Sequence, residues 1–257
     1  MIRIIQISLF TLATLGLLVL MGFIFKESRA TLVEDVQVNI FRDTDEGFLS
    51  RDILLNTINN IDTNKHLTIT NVNTYDIERN LLLNPYIEST DCYLTLDGKL
   101  LINVKEKTPI IRVYNKQGNS IYIDNNGEFI PISRKHTSRV LIASGYINDN
   151  ITSLESNIYD TTYSNSSYFE VFKLGKLILE NHLLSSQINQ IYVNSKGEYD
   201  LIPELGEHII KFGSLENAAI KLENLEAYYR KNMITENWDK YSSINLIYKD
   251  QIVCTKK

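Results

Sequence analysis

The side chains able to do chemistry are scattered in this chain. His66, His136, His182 and His208 stand apart, and no pair has the spacing that brings two imidazoles onto one metal. Cys92 and Cys254 form no Cys-x-x-Cys pair, so the sequence encodes neither a metal knuckle nor a dithiol redox centre. A Gly-x-Ser-x-Gly elbow and a phosphate-cradling glycine loop are both missing. Asp124-Asn125-Asn126-Gly127-Glu128 has the oxygen density of a calcium loop. Its glycine comes too early for the EF-hand order, and a hairpin turn accounts for the same residues. The glycosylation patterns at Asn150-Ile151-Thr152 and Asn165-Ser166-Ser167 arise by chance in so Asn-rich a chain. The aromatic pair Tyr228-Tyr229 and the single Trp238 read as core and interface packing rather than a ligand cage. No catalytic set converges here, and no cofactor or metal is expected.

Bulk properties point the same way. The apolar and charged fractions, 44% and 22%, are those of a folded chain. Net charge is −5 with the basic residues dispersed, which gives no footprint for nucleic acid. The stretch Ile4–Phe25 carries no charge and lies between Arg3 and Lys26. At about 1.5 Å per residue it makes a helix of roughly 33 Å, matched to a hydrocarbon core of about 30 Å. It outruns the apolar core of a signal peptide, and Ser28-Arg29-Ala30 puts a charge inside the only nearby cleavage window. The reading is a retained single-pass anchor behind a tail of residues 1–3. Its flanking charges do not fix its direction.

The elements that follow fall into two groups. Val33–Ile40 alternates as a half-buried strand; helices are expected over Arg51–Asn59 and from Val72–Thr74 to Asn84, where Pro85 stops the chain. Strands Ser89–Leu96 and Lys99–Lys105 flank Asp97-Gly98, a strong hairpin signal. The order strand, helix, helix, strand, strand describes an α+β unit with two helices on a three-stranded sheet. From Pro109 short alternating runs predict an antiparallel meander: Ile110–Tyr114, Ser120–Asp124, Glu128–Ile132 and Arg139–Ser144. Asn148–Ser167 reads as a loop and Tyr168–Leu184 as one amphipathic helix. Strands follow at Ile188–Asn194, Glu198–Pro203 and His208–Phe212, then a helix capped by Ser214 and running to Lys231. The last run, Ile244–Cys254, reads as a final strand. Cys92 and Cys254 thus lie in different groups, which argues against a bridge between them.

These segments carry a resemblance. Asn84-Pro85-Tyr86-Ile87 and Leu100-x-Ile102-x-Val104-x-Glu106-x-x-Pro109 resemble the end of a POTRA domain running into the next domain of the cell-division protein family FtsQ/DivIB, Bacteroidetes-type. Tyr122-Ile123-Asp124-x-x-Gly127, Val140–Gly145, Lys211-Phe212-Gly213, Lys221-x-x-x-Leu225 and Ile244–Tyr248 continue the pattern in order. The resemblance implies an anchor at 4–25, a POTRA domain at 33–107 and an antiparallel β-rich domain with flanking helices at 108–257. It implies a non-enzymatic scaffold of the division septum in the cytoplasmic membrane, with its amino terminus cytoplasmic and its folded part periplasmic. The implied partners are FtsB-like and FtsL-like single-pass proteins and, through them, the septal peptidoglycan synthase; no nucleic acid or small-molecule substrate is implied.

A partner segment would add a strand at the carboxyl-terminal edge. The residues carried over to that role are Ile244, Asn245, Leu246, Ile247, Tyr248, Lys249 and Ile252, with Tyr229 and Trp238 beside them. Family members commonly have an acid where Asn245 stands and an arginine where Ile247 stands. Backbone pairing survives both departures, and the partner's side chains there should be less acidic than usual. The competing reading is a POTRA-bearing transport chaperone for outer-membrane polypeptides, which would usually carry a barrel or further POTRA repeats; neither appears after residue 109.

Overall fold

In the computed structural model the described residues are 10–21, 33, 35–61, 72–95, 97–151, 153–232, 240–249 and 251–257. Of the expected anchor they include a helix at 10–21 (α1), whose large apolar side chains, Phe10 and Leu12 among them, are exposed. Among the described residues no helix is long and apolar enough to cross a membrane. The chain divides into two compact units, Met1–Arg42 with Leu49–Glu106 and Asp43–Phe48 with Lys107–Lys257.

The first unit contains β1 (Val36–Phe41), α2 (Arg51–Ile61), α3 (Thr74–Leu81), β2 (Ile87–Leu94) and β3 (Leu100–Glu106). Its sheet has the order β1-β3-β2, with β1 parallel and β2 antiparallel to the central strand. Alternation works as the pleat demands: Leu100, Ile102 and Val104 are fully buried, facing Leu54 and Ile58 of α2 and Ile77 and Leu81 of α3. Asn73 caps α3 by accepting from the Asp76 amide, and Gly98 turns the hairpin at φ 80°. This is the α+β unit expected from the sequence.

The second unit is built on one nine-stranded sheet of order β12-β11-β10-β9-β8-β7-β4-β5-β6. The strands are β4 (Pro109–Tyr114), β5 (Ser120–Asp124), β6 (Phe129–Ile130), β7 (Leu141–Gly145), β8 (Ile188–Val193), β9 (Tyr199–Pro203), β10 (Ile209–Gly213), β11 (Tyr241–Asn245) and β12 (Val253–Lys256). Helices α4 (Ser167–Glu180), α5 (His182–Gln187) and α6 (Ala218–Asn232) pack on it.

Here the expectation of an antiparallel domain is corrected. Pairs β4–β7, β7–β8 and β10–β11 are parallel. Parallel neighbours need a long crossover, and helices supply two of them: α4 and α5 between β7 and β8, α6 between β10 and β11. The helix expected over Tyr168–Leu184 is two, because the Asn181 side chain accepts from the Leu183 and Leu184 amides and restarts the chain as α5. Similarly, Ser214 does not cap α6; the left-handed Asn217 (φ 54°) precedes the helix start at Ala218. The Asn148–Ser167 segment is no plain loop either, since Ile158 and Tyr163 are buried in the core.

One glycine is demanded by the crossover geometry. Gly145 ends β7 at φ 103°, and a Cβ there would lie 2.2 Å from the Val193 carbonyl oxygen. That same oxygen accepts from the Tyr146 amide at 2.8 Å. Gly145→Ala therefore strains both backbone and β7–β8 pairing. We expect a loss of about 2–4 kcal/mol in urea unfolding, with the midpoint shifted and the slope unchanged.

Candidate strand-docking edge

The carboxyl-terminal run is two strands, not one. β11 sits between β10 and β12, pairing parallel with the first and antiparallel with the second. The Leu246 amide still donates to the Lys211 carbonyl at 2.9 Å, and there the ladder stops. Asn245 stops it: its side-chain oxygen accepts from the Ile247 amide at 2.9 Å, turning the chain out of the sheet. After the loop the chain returns as β12, which forms the border of the sheet. The edge expected over Ile244–Cys254 is therefore borne by Val253–Lys256 alone.

This division sorts the sequence-derived residues. Ile244 and Leu246 are buried, and Asn245 shapes the loop. Tyr229 is buried on α6, where its hydroxyl lies 3.0 Å from His208 Nε2. Its neighbour Tyr228 receives the Cys254 thiol at 3.4 Å, which holds β12 down on α6. Burial raises both tyrosine hydroxyls above their ordinary range, with the Cys254 contact adding to the effect at Tyr228. Both tyrosines thus stay neutral hydrogen-bonding groups. Ile252 packs against the core from the loop side. Ile247, Tyr248 and Lys249 are exposed. Trp238 lies outside the described residues.

The exposed loop borders a cleft of about 520 Å³, lined among others by Gly213, Ser214, Ile220, Ile247, Tyr248 and Lys249. Gly213 is required there: at φ 76° its absent Cβ would meet Ile247 Cγ1 at 2.8 Å. Lys221 ties the adjoining turn together by donating to the Phe212 and Ser214 carbonyls at 3.1 and 2.8 Å. Burial lowers the pKa of that amine. Among the described residues no group of three His, Cys, Asp or Glu side chains could hold a metal. What the arrangement offers is a bordering strand, a shaped loop and a partly apolar cleft.

Lys257 donates its amide to the Lys240 carbonyl, and the Ser242 hydroxyl reaches the Thr255 carbonyl. Backbone groups alternate sides along a strand, so Val253 and Thr255 point toward β11 while Cys254 and Lys256 point away from the sheet. The edge therefore presents two amide–carbonyl pairs, two residues apart, to whatever lies alongside.

A family model described as FtsQ/DivIB, C-terminal related, matches residues 108–255, covering the second unit's strands from β4 to β12. The chain belongs to the FtsQ/DivIB family. A POTRA-like domain model matches residues 31–105, and both are non-catalytic scaffold families. No curated protein matches the chain. Asn245 thus has a physical role, and a carboxylate at that position would accept the same Ile247 amide. Sequence reasoning missed that turn and β12 as a separate strand; the clue was the polar Lys249–Gln251 interruption within an alternating run.

Asn245→Ala should cost about 1 kcal/mol in urea unfolding and free the Ile247 amide for hydrogen exchange. Asn245→Asp should leave both near wild type.

Proposed function

We propose that this protein is a non-enzymatic scaffold of the cell-division machinery, held to the cytoplasmic membrane by the uncharged run Ile4–Phe25. Its folded units lie on the periplasmic side at the septum. Family membership supports the scaffold role. The uncharged run and the exposed apolar side chains of α1 support the anchor. Large domains cross a membrane regardless of short flanking charges, which accords with the periplasmic side.

The partner surface is the outer edge of β12. An FtsB-like segment pairs there in extended form, with an FtsL-like chain in the same assembly, and the assembly acts on the septal peptidoglycan synthase. One observation carries this reading: the Cys254 and Lys256 backbone groups point off the end of the nine-stranded sheet. Main-chain pairing supplies affinity without demanding particular side chains. It therefore tolerates Ile247 where an arginine is common. Tyr248 and Ile247, exposed beside the edge, supply apolar contact for the partner's flanking residues.

The alternation gives a sharp test. Lys256→Pro removes a donor that faces outward, so it should abolish pull-down of a co-expressed FtsB-like partner. Unfolding free energy should change by less than about 0.5 kcal/mol. Thr255→Pro removes a donor that faces β11, so it should weaken the fold as well. Unchanged capture by a folded Lys256→Pro chain would contradict docking at this edge.

A further inference from the structure

Strand addition needs an unoccupied edge, and the first unit has two candidates, β1 and β2. On each, one outward backbone group is taken by a side chain from the helix above it. On β2 the direction of each residue follows from the hairpin: the Thr95 amide donates inward to the Lys99 carbonyl at 2.9 Å. Alternation then turns the backbone groups of Thr90, Cys92 and Leu94 away from β3. Cys92 is the central one, and its amide donates to Glu78 Oε1 at 2.8 Å. Glu78 follows Ile77 on α3; Ile77 packs into the core, and the carboxylate drops over the strand's border.

The β1 edge shows the converse chemistry. Leu100 donates to the Asp35 carbonyl, so odd-numbered residues of β1 face β3 and Val36 faces outward. The Val36 carbonyl accepts from Arg51 Nη2 of α2 at 3.4 Å. A carboxylate thus sits on an outward donor and a guanidinium on an outward acceptor. The Glu78 bond is the shorter, and a charge-assisted bond to a backbone amide is about twice as strong as a neutral one.

The far end of the large sheet has a neighbouring segment at the start of its border strand. Beside β6, Asn157 bridges to Glu128 and the Ile158 amide donates to the Gly127 carbonyl at 2.8 Å. Three of the four sheet borders carry such a cover, and β12 carries none among the described residues.

We propose that Glu78, assisted by Arg51, bars strand addition to the first unit and so confines it to the carboxyl-terminal sheet. An incoming strand at β2 has to place its own carbonyl where the Glu78 oxygen already lies. A unit with both borders held does not take up extended polypeptides, which separates it from a module that hands unfolded chains onward. The inference concerns different amides from those of β12, so either reading can fail without the other.

The test uses the full chain in detergent micelles, with Glu78→Ala and the acceptor-retaining Glu78→Gln. Hydrogen exchange at the Cys92 amide should quicken roughly tenfold or more in Glu78→Ala and stay near wild type in Glu78→Gln. The strand probe is a labelled peptide copying residues 99–106 of this chain, the natural antiparallel neighbour of β2. It should leave the Thr90 and Leu94 amides of wild type and Glu78→Gln unchanged, and protect both in Glu78→Ala. An unchanged Cys92 amide in the alanine variant would overturn the proposal. So would a freed Cys92 amide with no protection by the peptide, or protection in wild type.

Discussion

The unpaired backbone at a sheet border is the constraint from which the rest of this structure follows. A border strand exposes a row of donors and acceptors that must meet water, a side chain or another strand. The described residues form two sheets with four borders, and these are treated differently. Glu78 and Arg51 reach down from helices onto β2 and β1, and a returning segment at Asn157–Ile158 lies beside β6. At the remaining border the chain adds β12, pins it to α6 through Cys254 and Tyr228, and leaves its outer groups directed outward.

The interior is organised to hold that last border in place. Parallel crossovers through α4, α5 and α6 stitch the middle of the nine-stranded sheet, so β10 and β11 are fixed by a helix rather than a turn. Burial of Ile244, Leu246 and Tyr229 anchors β11 and its loop. Asn245 then ends the ladder at a fixed residue, which decides where β12 begins and which of its amides face out. Under the proposed backbone pairing, this register is what would select a partner strand.

Much of the first unit was legible in sequence. Asp97-Gly98 fixes a hairpin, Pro85 stops a helix, and alternation at Leu100, Ile102 and Val104 marks the core face; each signal is local, and nothing tertiary overrides it. The second unit was less so. Alternating runs report strands but not their neighbours, and the parallel pairs depend on crossovers whose geometry no short window carries. Asn181 and Asn245 each break an element by capturing a backbone amide, an act that looks in sequence like one polar residue among many. For that reason the single strand expected over Ile244–Cys254 is two, and the sheet border falls on the second of them. The covers on the other borders were invisible, since Glu78 meets Cys92 only once α3 has packed on β2.

The proposed function turns on a partner strand pairing along β12. The decisive measurement is hydrogen exchange of the full chain, alone and with a co-purified FtsB-like candidate partner. Binding should bring new protection at the Cys254 and Lys256 amides, with Val253 and Thr255 already protected in the free protein. Binding that leaves the Cys254 and Lys256 amides exchanging as in the free protein would contradict it.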